Sequence, residues 1–136
     1  MKLISEKTYS DIFFIGSLWN LAIGLGSLTT LKLSMRLLYG AKAVTSNIVA
    51  TLPLRFFYAA VAIFGWGYYM VSRDPKKNRG IVWMAIVAKL TIFATFICYY
   101  LKRKIKIIPV LLGLGDFIFS ILFSLFLFET RNDADK

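Results

Sequence analysis

The chain has 136 residues, of which 58% are hydrophobic and 18% charged, and its mean hydropathy is +0.67. An ordinary soluble domain has apolar residues nearer half and charges nearer a quarter. The apolar content excludes disorder. Cys98 is the sole cysteine, which excludes a disulfide scaffold. The absence of histidine removes the commonest general base and metal ligand.

A spanning helix needs about 20 mostly apolar residues. Four runs meet that need: 12–31 without a charge, 53–71 with Arg55 near its start, 81–101 interrupted by Lys89, and 107–128 interrupted by Asp116. The length allows one domain, so the expectation is a single all-α integral membrane four-helix bundle. The start, Met1 to Lys7, is basic, but no clean small-residue cleavage site follows, so the first run reads as a retained span.

Between the first two runs, 32–52 carries Lys32, Arg36 and Lys42 beside Leu33, Leu37 and Leu38. Part of it can lie at the membrane interface. Alternatively, the first helix continues past the bilayer and ends at Gly40. Pro53 suits a first turn, where its missing N–H costs nothing. The segment 72–80 reads as a tight Asp-Pro turn, with Asn78 as cap of the third span. Lys102 to Lys106 forms the last connection. Tyr68, Tyr69, Trp83, Tyr99 and Tyr100 sit near the proposed water boundaries and read as an aromatic belt. Cys98 reads as a buried apolar filler.

Four spans put both termini on one side, together with the 72–80 connection. That side carries eight Lys and Arg, the other side also eight, and Lys89 completes the 17. The positive-inside rule therefore ties. The uncleaved basic start and the short basic turn favour cytoplasmic termini, while a tie is also what dual insertion produces. The net charge of +10 lies in membrane-flanking segments. It points to anionic lipid headgroups, at about 1 kcal/mol per residue near the surface, and away from nucleic acid.

Asn20, Lys89 and Asp116 lie deep in the spans. A Lys or Asp at a helix centre costs about 2.5–3.5 kcal/mol on insertion scales, so the two charges should face inward and meet. Register permits it. Lys89 lies twelve residues before Leu101 and Asp116 nine after Ile107, depths of about 18 and 14 Å from one boundary. Gly113, Asp116, Ser120 and Ser124 share a face, as do Gly16, Asn20, Gly24 and Ser27. Small and polar stripes are how membrane helices approach closely. These patterns place Asn20, Lys89 and Asp116 at the centre of spans one, three and four, with span two packing around them through Ala59, Ala62 and Trp66. The same three are the candidate binding residues.

The run Tyr69-Met-Val-Ser-Arg-Asp-Pro-Lys-Lys-Asn-Arg-Gly-Ile-Val-Trp83, Lys89 further along that helix, and Gly115-Asp116-Phe-Ile-Phe-Ser120 together resemble a known pattern. It is that of small uncharacterised four-helix bacterial membrane proteins, loosely DoxX-like. The resemblance covers about the last half of the chain. It implies a four-helix fold in the bacterial inner membrane. Some DoxX-like proteins are accessory subunits of membrane redox systems, so an accessory role follows by analogy. No quinone or haem ligand set accompanies the pattern, and no cofactor is expected.

Three functions are compatible with these residues. One is a non-catalytic accessory or small-ligand-binding subunit, alone, as a homo-oligomer or in a larger membrane complex. The alternative is a small proton-coupled transporter of lipophilic or cationic compounds, with Asp116 titrating against Lys89. A membrane enzyme has the thinnest basis, one acid and one amine. In the plainest case the Lys89–Asp116 pair only fixes helix register.

Overall fold

The computed structural model describes residues 4–40 and 47–131. They form five helices and, among the described residues, no strand: α1 (Glu6–Thr29), α2 (Leu31–Tyr39), α3 (Ile48–Arg73), α4 (Arg79–Leu101) and α5 (Ile107–Glu129). Four of them, α1, α3, α4 and α5, are long and apolar enough to cross a membrane. The chain is a multi-pass membrane helical bundle. Much of its outer surface is apolar, as Ile63, Trp66, Val87 and Ile118 illustrate. A hydrocarbon surround accepts such side chains without cost.

α1 starts six residues before the apolar run. The Ser5 hydroxyl accepts from the Thr8 amide at 3.1 Å, and Glu6 lies in the first turn, where the helix dipole favours an anion. α1 does not continue into α2. Thr30 leaves helical geometry at φ −115° and ψ 40°, and α2 begins afresh. α2 does end at Gly40, whose φ of +103° suits glycine alone, and a side chain there would approach Lys106. α2 thus leaves α1 and reaches towards the start of α5 across one end of the bundle. Residues 41–46, with Lys42, lie outside the described residues, as do Lys2 and Lys136.

Two helix boundaries differ from expectation. Pro53 sits inside α3, six residues beyond the N-terminal Asn47 cap, which accepts from the Val49 amide at 2.9 Å. Asn78 precedes α4, but its side chain does not cap it. Its amide donates backwards to the carbonyls of Met70 and Asp74, closing the end of α3. Asp74 Oδ1 accepts from the Lys77 amide, which folds the turn.

The helices pack as two close pairs. α1 lies along α3, and α4 lies along α5. Gly24 and Gly65 make the first pair possible. A Cβ on Gly24 would lie 2.6 Å from the Ala62 nitrogen, and one on Gly65 would lie 2.9 Å from the Leu21 nitrogen. The expected placement of span two is therefore corrected: α3 is the main partner of α1 and not an outer addition. Its buried face is Tyr58, Ala62, Gly65, Tyr68 and Ser72, whereas Trp66 is 61% exposed. In the second pair, Gly113 admits Phe93 and Phe96, and Phe93 stacks on Phe117 at 4.9 Å. Ser124 turns outward, off the face that Gly113 and Ser120 bury.

The pairs pack most closely on each other at the end that holds the 74–78 turn. There Phe13 stacks on Phe123 at 4.5 Å, and Tyr9 and Tyr68 meet Phe126 and Phe123 edge-on. Val71, Val82 and Ala85 fill the remainder. Arg79 locks this end. Its guanidinium donates to the carbonyls of Leu127 and Thr130 at 3.2 and 3.0 Å, satisfying the C-terminus of α5.

Candidate functional site

Beyond the aromatic core the two pairs diverge. α3 and α4 meet beside their connecting turn, where Gly67 faces Ile81. Further along, Val61 and Phe64 on one side and Ala88 and Ile92 on the other face a cavity of about 350 Å³. This falls within the roughly 300–1,000 Å³ range of small-molecule sites. α2 supplies the far wall through Ser34, Leu37 and Leu38.

Asn20, Lys89 and Asp116 all line this cavity, and they touch one another. The Lys89 ammonium pairs with Asp116 Oδ1 and donates to Asn20 Oδ1 at 3.1 Å. The Asn20 amide nitrogen donates to the Val61 carbonyl at 3.3 Å, tying the group to α3. The ring centroids of Tyr68 and Phe119 lie 5.2 and 5.5 Å from the ammonium, close enough for cation–π attraction. Lys89 is thus held by neighbours from α1, α3 and α5. Its side chain is 3% exposed, while that of Asp116 is 18% exposed. The Ser120 hydroxyl bonds to the backbone carbonyl of Asp116 and leaves the carboxylate free of it.

Sequence patterns brought these three residues together, but they missed two tyrosines. Tyr68 reads as a belt residue, yet it is 1% exposed and lies beside the ammonium. Tyr58 is equally buried, lines the cavity, and its hydroxyl has no hydrogen-bond partner among the described residues. The signal available was the helical spacing of both with Ala62 and Gly65. The other belt residues, Tyr69, Trp83, Tyr99 and Tyr100, are exposed as expected. Cys98 is exposed and is not a core filler, because α4 turns that side away from α5.

Chemically the site is a buried ion pair with one accessible carboxylate edge at the end of an apolar cavity. Among the described residues no three His, Cys, Asp or Glu side chains gather to hold a metal. No protein-family model, curated protein or solved structure matches the chain.

Proposed function

We propose that this chain is a non-catalytic binding bundle of the bacterial inner membrane, with cytoplasmic termini, that holds a small lipophilic molecule at Asn20, Lys89 and Asp116. It acts alone, as a homo-oligomer or as an accessory subunit of a larger membrane complex, in contact with anionic lipids. One observation carries the reading: the cavity is apolar along its walls and polar where those three residues meet. A packed register-fixing pair needs no such space beside it. The DoxX-like pattern of the last half of the chain supports the bacterial setting by analogy.

The test uses the full chain in phosphatidylcholine nanodiscs and a dodecyl probe carrying a photoreactive diazirine. Labelling should map to residues such as Phe64, Ile92 and Leu112. Ala88→Phe, which fills the space, should reduce it about tenfold. Labelling confined to outer residues such as Ile63 and Val87 rejects the reading.

A second reading, proton-coupled transport of a lipophilic or cationic compound, draws on the exposed edge of Asp116. Proteoliposomes with an imposed pH gradient decide it. Accumulation of a lipophilic cation that Asp116→Asn abolishes supports transport.

A further inference from the structure

Resting on the cavity reading above, we propose that the ligand is a neutral lipophile with a hydroxyl head, such as a long-chain alcohol or an acylglycerol, whose hydroxyl donates to the Asp116 carboxylate. The argument starts from charge. Lys89 and Asp116 are directly paired, so their charges cancel wherever the shared proton lies. A cationic or anionic head would add an uncompensated charge within apolar walls, and such a charge is costly to bury.

Hydrogen-bonding capacity then selects among neutral heads. The Lys89 ammonium already faces Asn20, Asp116 and the rings of Tyr68 and Phe119. The Asn20 amide nitrogen donates one of its two N–H groups to the Val61 carbonyl. An ionised carboxylate accepts through two oxygens and about four lone-pair positions, and Lys89 takes only one oxygen. The partly exposed remainder of Asp116 is an acceptor. A head that only accepts, such as an ether, leaves that acceptor without a donor. A hydroxyl donates without adding charge. Its hydrocarbon chain then runs between Val61 and Phe64 on one wall and Ile92 and Leu112 on the others.

The test is competition against the diazirine label by four twelve-carbon compounds: 1-dodecanol, dodecyl methyl ether, dodecylammonium and dodecanoate, each at known mole fraction in the nanodisc. Dodecanol should compete at about tenfold lower mole fraction than the other three. The variants should re-order the series. Lys89→Met leaves a lone carboxylate, so dodecylammonium should become the best competitor. Asp116→Asn is isosteric and leaves a lone ammonium, so dodecanoate should lead. If Lys89→Met fails to insert, Asp116→Asn and the parent series still decide. Equal competition by ether and alcohol, or an order that Asp116→Asn leaves unchanged, overturns the hydroxyl assignment and leaves the cavity reading standing. Absence of labelling inside the cavity removes both.

Discussion

Lys89 is held by Asn20 and Asp116 and by the rings of Tyr68 and Phe119, and its energetics are testable. Removing either member of a buried pair leaves the other without compensation, at about 3–5 kcal/mol. Lys89→Met and Asp116→Leu should each lower thermal stability in detergent by that order. The double variant should lose less than the two single losses added, because no orphan charge remains. Additive losses would mean that the two charges act independently. Arg79 offers a second test outside the site. It satisfies two carbonyls at the end of α5, so Arg79→Ala should cost about 1–3 kcal/mol, read as a lower melting temperature. Arg73 is exposed, so Arg73→Ala should change little.

At the scale of elements, the glycines of α1 do different work. Gly24 meets the α3 backbone, Gly16 meets only the rings of Phe119 and Phe123, and Gly26 faces open space. Gly24→Leu should therefore force α1 from α3 and cost a few kcal/mol by overpacking. Gly26→Leu should be tolerated. The measurement is the melting temperature of both variants beside the parent, and equal melting would remove the close α1–α3 contact. The stripe of small residues was legible from spacing alone. Its partner was not, since a stripe says that something approaches closely without saying which helix does. Asn78 shows the same limit. Its position before α4 identified the boundary, while its side chain closes the helix behind it, because the turn brings those carbonyls within reach.

For the whole molecule, four helices able to span predict that the start of α1 and the end of α5 lie on one face of the membrane. Reporters fused behind Lys136 and inserted within 102–106 should give opposite signals. Equal mixed signals at both sites would indicate dual insertion, which the tie in Lys and Arg permits. The two-pair arrangement also has a mechanical consequence. The aromatic core ties the pairs together at the 74–78 end, and among the described residues α2 reaches between α1 and α5 at the other. Substituting Leu37 and Leu38 by Ser should thus alter access to the cavity more than stability. Labelling by the dodecyl probe should change several-fold while the melting temperature moves little.

The sequence by itself determined the solvent, the number of spans and the meeting of Asn20, Lys89 and Asp116. Hydrocarbon penalises every unpaired charge and backbone group, so apolar runs must be helices and lone charges must find each other. Depth along a helix follows from a fixed rise per residue, which made the register of the triad readable. Tertiary structure alone decided which helix lies against which, that Tyr58 and Tyr68 turn inward, that Trp66 and Cys98 turn outward, and that a cavity adjoins the triad. Those outcomes depend on how two apolar surfaces fit at close range. Inside a membrane every face is apolar, so hydrophobic pattern does not separate a lipid-facing side from a packed one, and shape makes the choice.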